Sequence, residues 1–311
     1  MKKQIIMNSI RGGISMLVFV YGNLRKHERH HALLQNPRTI SHQAYVDGIL
    51  LESVEGHPVM KDGREKVYGE LYEVDPSVID QLNKTKEAIP AKAIKKEATV
   101  YTDHGSYVAT VFTAASEHVQ GSTIPSGDWK VKNFLAHRPS DILYFAYGSC
   151  MDEERFRKAG VHVHFQDCLG AGIVQDFRMD YSFVVDDGGR GDITEVPGEA
   201  MEGVVYRVNQ EAVDYLFERE GVLPGWYRPA FLDVMIDGRV HNNVLTFIVK
   251  RKSPETLPPE HYALEILRGS HPYVSDSYHR RLQDQLLGLG MDEKRLHAML
   301  QKIPTLNRDP A

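Results

Sequence analysis

A glutamate at the predicted end of a helix is the first side chain in this sequence that could transfer protons. Residues 216–221 end an apolar helical pattern, with Gly221 in the position that closes a helix and Glu220 directly before it. The negative end of the helix dipole disfavours a charged carboxylate, which favours a raised pKa and a role as general base. A solvated glutamate at a helix end has the same signature, so this segment alone leaves both interpretations open.

A turn between an apolar strand and a small polar residue could bind an anion. Residues 142–146 have the composition of a buried strand and lead into Tyr147-Gly148-Ser149. A glycine at such a turn leaves backbone N–H groups outside the sheet, where they can donate to an oxyanion or a carboxylate. Most junctions of this kind are plain turns, so recurrence elsewhere in the chain decides how much weight this one carries.

The turn recurs in the first half of the chain, together with a second pattern. The apolar residues 16–20 lead into residues 21–23, Tyr-Gly-Asn, just as the strand pattern leads into Tyr-Gly-Ser within residues 142–149. Residues 67–74 likewise match residues 201–208, and a helical apolar pattern follows each. The number of residues between the matching segments is far too large for a solenoid repeat. We therefore expect a duplicated domain, and the repetition favours a functional turn.

The length agrees with two domains, because 311 residues correspond to two units of about 150 residues each. Glycine, proline, serine and mixed charge between residues 122 and 140 interrupt both patterns. We place the boundary near His137, which gives domains at 15–137 and 138–311.

Strand patterns predominate in both halves, and they predict the fold class. Short β-branched and aromatic runs occupy residues 98–101, 108–112, 231–236 and 244–249. Longer helices are expected only at 260–268 and 275–287, after the start signal Pro258-Pro259. Because long helices do not alternate with the strands, the pattern indicates an α+β fold with barrel-like sheets.

Composition excludes several classes of function. The net charge is −5, from 37 Lys and Arg against 42 Asp and Glu, and no basic run supports nucleic-acid binding. No apolar span approaches the roughly 20 residues needed to cross a bilayer, and the run 16–21 is too short for a secretory signal. Cys150 and Cys168 are too few for a disulfide framework. We expect a cytoplasmic protein with a small-molecule partner, without nucleic acid or membrane.

A zinc site is the alternative that the histidine content raises. The segment His27-Glu28-Arg29-His30-His31 formally fits the His-Glu-x-x-His signature. That signature needs a helical frame and a third ligand, whereas residues 41–51 alternate as a strand does. With 15 histidines in the chain, the chance of a random match is not negligible. His162 and His164 alternate within residues 161–165 and are interpreted as one exposed face of a strand.

The second half of the chain closely resembles the γ-glutamylcyclotransferases. Residues 143–149 read Leu-Tyr-Phe-Ala-Tyr-Gly-Ser, like the family's Tyr-Phe-Ala-Tyr-Gly-Ser-Asn, with Cys150 in place of the usual asparagine. The first half is similar to smaller members of the superfamily, through Phe-Val-Tyr-Gly-Asn-Leu-Arg at 19–25 and Gly-Glu-Leu-Tyr at 69–72. Further matches in family order lie at 176–181, 203–206, 216–221, 227–228, 258–259, Tyr262 and Tyr278.

This resemblance implies a fold, a reaction and a set of site residues. Each half would be a small mixed β-barrel with flanking helices. The implied reaction cyclises a γ-glutamyl group to 5-oxoproline and releases an amino acid or amine, with cleavage of an amide C–N bond and no metal or organic cofactor. The family's catalytic glutamate falls on Glu220. Its substrate loop falls on Tyr144, Phe145, Ala146, Tyr147, Gly148 and Ser149.

The resemblance also shows where this chain departs from the family. Lys86 occupies the glutamate position in the first copy, and a lysine is a cation that does not accept a proton at neutral pH, so we expect that copy to be inactive. Cys150, and Phe247 in place of a tyrosine, bear on substrate choice. The leaving group and the oligomeric state stay open. Two alternatives also stay open: removal of a γ-glutamyl protecting group, and a small-carboxylate sensor without turnover.

Overall fold

The computed structural model describes residues 15–82, 84, 93–114 and 120–303. The chain divides into two compact units, Met1–His137 and Arg138–Ala311. Each unit contains a closed ring of five strands with helices against it, which confirms the α+β class and the pair of small mixed barrels.

The first unit builds its ring from β1 to β5. The strand order is β3-β1-β5-β4-β2, and an additional pairing of β2 with β3 closes the ring, while β6 extends the sheet beyond β2. Strand β1 runs antiparallel to β3 and parallel to β5. The strands are β1 Met16–Val20, β2 Arg38–Ser53, β3 Pro58–Val74, β4 Ala93–Thr102, β5 Gly105–Ala114 and β6 Gly121–Thr123, and the helices are α1 Pro76–Leu82 and α2 Trp129–His137.

The second unit repeats this plan with more helices. Its closed barrel has the order β10-β11-β7-β9-β8, with β7 antiparallel to β9 and parallel to β11. The strands are β7 Ile142–Ala146, β8 Asp167–Val185, β9 Gly188–Val208, β10 Tyr227–Ile236 and β11 Arg239–Val249. The helices are α3 Glu153–Lys158, α4 Gln210–Arg219, α5 Glu260–Ser270, α6 Asp276–Gly288 and α7 Glu293–Leu300. Helices α5 and α6 confirm the prediction of longer helices after Pro259.

Two long strands make closure of the second barrel possible. Strands β8 and β9 contain 19 and 21 residues and form one antiparallel hairpin. Their register shifts at 168/170, 175/177 and 180/183. Each irregularity bends the strand and increases its twist, so the hairpin curves around the core and reaches both β7 and β10.

The same hydrogen bond fixes the Tyr-Gly turn in both units. Tyr147 Oη donates to the carbonyl oxygen of Phe247 over 2.8 Å, and Tyr21 Oη donates to that of Phe112 over 2.8 Å. Each bond ties the end of the first strand of a barrel to the strand parallel to it. The matching contacts agree with the duplication inferred from the sequence.

One secondary-structure prediction was wrong. Residues 162 and 164 do not alternate on a strand, because His162–Phe165 forms a short 3-10 helix. Gly160, with φ of 73°, redirects the chain just before it. The helical turn stacks the Phe165 ring on Phe156 with ring centroids 3.8 Å apart, and burial of these rings outweighs an extended conformation.

The first unit holds a buried ionic cluster beside its Tyr-Gly turn. The Arg25 side chain is 2% exposed and pairs with Glu70 at 3.0 Å and with Asp128 at 2.8 Å. Lys130 Nζ lies 3.7 Å from Glu70, and Tyr72 Oη donates to Glu70 over 2.7 Å. Burial raises the pKa of Glu70, but the Arg25 and Lys130 cations outweigh burial and hold it at about 2. A buried carboxylate of this kind must stay ionised to balance its neighbours.

We therefore expect Glu70→Gln to destabilise the first unit by about 3–5 kcal/mol at pH 7, because it leaves two buried cations with Asp128 as the one remaining carboxylate of the cluster. The stability that ionised Glu70 contributes is complete above the unfolded-state pKa near 4.5 and is lost as pH falls toward 2, so the variant should lack this acid-dependent part. Chemical denaturation between pH 2 and 7 measures both effects. Asp62→Asn removes the exposed partner of Lys96 and serves as the control, with little expected change. Equal effects of the two substitutions would contradict the prediction.

Candidate active site

A cavity of about 290 Å³ opens in the second unit, at the end of β7. Its lining brings together residues that are far apart in the sequence, from the turn after β7 to the start of α5. The lining residues are Tyr144, Tyr147, Gly148, Ser149, Cys150, Arg155, Phe183, Val185, Arg190, Gly191, Arg219, Glu220, Trp226, Tyr227, Phe247, His261 and Tyr262.

Most of the site residues predicted from the sequence line this one cavity. Glu220 lies there with Tyr144 and with the turn Tyr147-Gly148-Ser149. Phe145 and Ala146 do not line it, because both are fully buried within β7. The Phe145 ring instead packs against the Tyr147 ring, with centroids 6.5 Å apart.

The turn after β7 lines the cavity and contains backbone N–H groups that can donate to a ligand. The strand ends at Ala146, and Ser149–Met151 forms a 3-10 turn. Within the described ranges the N–H groups of Gly148 and Ser149 donate no hydrogen bond to the chain. A Cβ atom on Gly148 would lie 3.3 Å from Tyr262 Oη. Glycine therefore leaves room for a ligand atom near two available donors.

The end of α4 positions Glu220. Asn209 caps the start of α4, and Glu220 follows its last residue. Gly221 has φ of 59°, and a Cβ atom there would lie 2.3 Å from the Trp226 ring, so only glycine fits. The predicted helix end with glycine after Glu220 is confirmed, and the Glu220 side chain is 17% exposed.

Burial dominates the electrostatics of Glu220. Removal from water raises its pKa, and the Arg219 guanidinium and the Cys150 thiol oppose this shift only in part. Arg219 Nε lies 3.7 Å from Glu220 Oε1, and Cys150 Sγ donates to the same oxygen over 3.6 Å. A carboxylate with a raised pKa that faces a cavity can accept a proton and return it near neutral pH.

Arg219 connects the helix end to the turn, and sequence reasoning did not assign it to the site. Its Nη2 donates to Ser149 Oγ over 3.0 Å, and its Nε donates to Cys150 Sγ over 3.2 Å. The sequence does place a cation next to Glu220. That signal was not sufficient, because adjacent positions on a helix do not usually face the same partner.

Two tyrosines of the lining hold Gly191 at the cavity wall. Tyr227 Oη donates to the Gly191 carbonyl over 2.7 Å, and the Gly191 N–H donates to Tyr262 Oη over 3.0 Å. Burial raises the pKa of both tyrosines, so they remain neutral phenols. The sequence identified both only as family matches, without a role.

The histidine segment of the first unit does not form the frame of a zinc site. His27 has a left-handed φ of 65°, and only a short 3-10 helix, His31–Leu34, follows it. His27 and His31 therefore do not lie on successive turns of a helix. Among the residues whose positions are described, no three His, Cys, Asp or Glu side chains cluster as metal ligands would.

Two further expectations concern Lys86 and membrane association. Lys86, the residue at the glutamate position of the first copy, lies outside the described residues. None of the helices in the described parts of the chain combines the length and apolar character that crossing a bilayer requires.

Comparison with known proteins supports a duplicated chain. The family model "Gamma-glutamyl cyclotransferase, AIG2-like" matches residues 18–131, and the model "AIG2-like family" matches residues 200–282. The gamma-glutamylcyclotransferase of Bos taurus is 28% identical over 124 residues, which cover 38% of this chain and 63% of that protein. The gamma-L-glutamyl-butirosin B gamma-glutamyl cyclotransferase of Niallia circulans is 30% identical over 70 residues, 22% of this chain and 45% of its own.

A similar protein of comparable length is YkqA of Bacillus subtilis (strain 168), which carries the name gamma-glutamylcyclotransferase only provisionally. It is 39% identical over 279 residues, which cover 89% of this chain and 99% of YkqA. Its crystal structure superposes with a TM-score of 0.82 at 37% identity, covering 90% of this chain and 100% of that one. With a barrel in each half and family matches in both, this chain belongs to the tandem γ-glutamylcyclotransferase-like family.

Proposed function

We propose that the second unit is a γ-glutamylcyclotransferase that converts γ-glutamyl compounds into 5-oxoproline and a free amine, with Glu220 as general base and acid. One observation carries the proposal: a half-buried carboxylate with a raised pKa shares a cavity with the available N–H groups of Gly148 and Ser149. The names of the bovine and Niallia relatives support the reaction class.

The reaction needs a base because the substrate's α-amine enters as an ammonium ion. Glu220 takes one proton, and the freed amine attacks the γ-carbonyl carbon of the same molecule, closing a five-membered ring. The carbonyl oxygen becomes an oxyanion, and in our proposal the N–H groups of Gly148 and Ser149 stabilise it. Glu220 then returns this proton to the leaving nitrogen as the original amide C–N bond breaks, and the second proton that the ring nitrogen gives up passes to the released amine, which leaves as an ammonium ion. The nucleophile is part of the substrate, so the proposed reaction calls for no metal or organic cofactor.

The charge of the lining favours an amino acid as the leaving group over a cationic amine. Glu220 is the single carboxylate among the lining residues, which also include Arg155, Arg190 and Arg219. Arg155 and Arg190 are paired with acidic side chains outside the lining, which neutralise them in part. The rings of Phe183 and Trp226, 6.1 Å apart, add an apolar wall. A polyamine or an aminoglycoside would find no counter-charge there except the base itself.

The first unit differs from the second at the corresponding turn. A Cβ atom on Gly22 would lie 2.3 Å from Pro58 Cγ, so the proline ring lies directly against the turn. In the second unit a Cβ atom on Gly148 would meet no atom closer than Tyr262 Oη at 3.3 Å, and Gly191, which also lies nearby, has no side chain. The covered turn, together with Lys86 in place of the glutamate, supports our proposal that the first unit does not turn over substrate.

Glu220→Gln should lower kcat by at least about 100-fold, because the amide keeps the shape of the side chain but cannot accept a proton. Release of 5-oxoproline from γ-glutamyl amino acids, followed by mass spectrometry, measures this loss. An unchanged thermal unfolding midpoint would show that the fold is kept. Lys86→Ala is the matched control and should keep full turnover. Activity of Glu220→Gln within a few-fold of the wild type would refute the assignment, and binding without turnover in the wild type would favour the sensor alternative.

The raised pKa of Glu220 predicts the direction of the pH dependence. Because the base must be ionised, kcat/KM should rise with pH through a limb whose midpoint lies above the ordinary glutamate value of 4.5. A profile between pH 4 and 8, corrected for spontaneous cyclisation of the substrate, locates this limb. A rate that stays constant down to pH 4 would exclude Glu220 as a base with a raised pKa.

The leaving-group proposal predicts a preference among substrates. A γ-glutamyl amino acid with an apolar side chain should show a kcat/KM at least about tenfold above that of γ-glutamyl-spermidine. The neutral γ-glutamyl-butylamide tests the effect of charge apart from that of size, and its kcat/KM should lie between those of the other two substrates. The difference should also shrink at high salt, because screening weakens the repulsion. Equal or higher activity on the polyamine conjugate would contradict the charge argument.

A further inference from the structure

Cys150 lies where the family's usual residue is asparagine, and its thiol is directed at the base. The side chain is buried, at 5% exposure, in the 3-10 turn Ser149–Met151. Its sulfur donates to Glu220 Oε1 over 3.6 Å and accepts from Arg219 Nε over 3.2 Å. The thiol therefore bridges the carboxylate and the guanidinium that flank it.

We propose that Cys150 is a positioning residue for Glu220: its S–H group holds one carboxylate oxygen and favours the ionised form of the base, while its sulfur fixes the Arg219 guanidinium. This role rests on the proposed function of Glu220. The substitution of the usual asparagine thus acts on the base, whereas the sequence alone had pointed to substrate choice.

The protonation state of the thiol suits this role. Burial raises the pKa of Cys150, and the Arg219 guanidinium opposes burial only in part. The sulfur therefore keeps its proton and remains a hydrogen-bond donor at neutral pH. A donor to the charged form of a carboxylate lowers its pKa, so Cys150 works against the rise that burial imposes on Glu220.

Other groups around Glu220 also set its pKa, and variants at Cys150 remove none of them. Arg155 on α3 faces it as a second cation. The phenols that surround it from four elements are Tyr144, Tyr147, Tyr227 and Tyr262. Arg219 is the cation nearest to Glu220 in its own segment, at 3.7 Å.

An amide can reproduce the contacts of the thiol with Glu220 and Arg219, and this makes a rescue variant available. The N–H₂ group of an asparagine donates to a carboxylate, and its carbonyl oxygen accepts from a guanidinium. Alanine offers neither contact. Cys168 is a second free cysteine, outside the cavity lining, and Cys168→Ala is the matched control.

We expect Cys150→Ala to move the acid limb of kcat/KM upward by about 0.5–1 pH unit, because the ionised base loses a donor. Cys150→Asn should return the limb to the wild-type position or below it, since an amide is the stronger donor. Cys168→Ala should leave the limb and the rate unchanged. The pKa of Glu220 can also be measured without substrate, by titrating the ¹³C resonance of its carboxyl group, which is assigned because it is absent from Glu220→Gln. These pKa values should follow the same order among the variants as the acid limbs.

The proposal would be overturned if Cys150→Ala changed neither the midpoint of the acid limb of kcat/KM nor the pKa of the Glu220 carboxyl group, even if the rate fell. A purely structural role would lower the rate without changing the pKa of the base. A downward shift would overturn it as well. Thermal unfolding midpoints identify any variant that fails to fold, and Cys150→Val, which fills the buried site and also lacks a donor, then replaces alanine with the same expected upward shift. Failure of the proposed reaction is recognised separately: the wild type would release no 5-oxoproline, whereas the titration of Glu220 would still report on Cys150.

Discussion

The hydrogen bond from Tyr147 to the Phe247 carbonyl holds the turn on which the candidate site depends. In a closed barrel the first strand has partners on both sides, so the backbone groups of β7 are used within the sheet and only the residues beyond Ala146 are available for a ligand. The tyrosine fixes the point at which the chain leaves the sheet. Gly148, the next residue, adds no side chain at this point, so backbone N–H groups lie beside the cavity. The equivalent bond from Tyr21 ties the corresponding turn of the first barrel to its own parallel strand.

Each unit has ionised side chains beside its own Tyr-Gly turn, but the two units compensate these charges to different degrees. In the first unit Arg25, Glu70, Asp128 and Lys130 balance one another, and the pKa of Glu70 is held near 2, which suits a permanent ion. In the second unit Glu220 has partial compensation from Arg219, and its pKa is raised. A carboxylate that is fully paired stabilises a fold but cannot exchange a proton easily, whereas one that is partly paired can do so at some cost in stability.

The parts of this site that follow local patterns could be predicted from the sequence. The repeated Tyr-Gly turn, the helix that ends at Gly221 and the helices after Pro259 each have a signal within a few residues. The bridge from Cys150 to Arg219 and Glu220 has none, because closure of the barrel brings together segments about 70 residues apart. The contact of the Pro58 ring with Gly22 could not be predicted from the sequence for the same reason. The prediction of a strand at His162 and His164 was wrong for a different reason, because alternation over so few residues does not distinguish a strand from a 3-10 helix.

Space beside the turn distinguishes the two copies more clearly than the turn itself. Tyr, Gly and a small polar residue are present in both, yet a proline ring occupies the space next to Gly22, and a glycine lies next to Gly148. A ligand oxygen can approach a backbone N–H only where no side chain stands in its place. In the second unit Tyr227 and Tyr262 bind both backbone groups of Gly191, so the wall stays open without collapsing into the cavity. In our proposal, the proline ring in front of the turn and Lys86 at the glutamate position together account for the absence of turnover in the first unit, although the binding motif itself is kept.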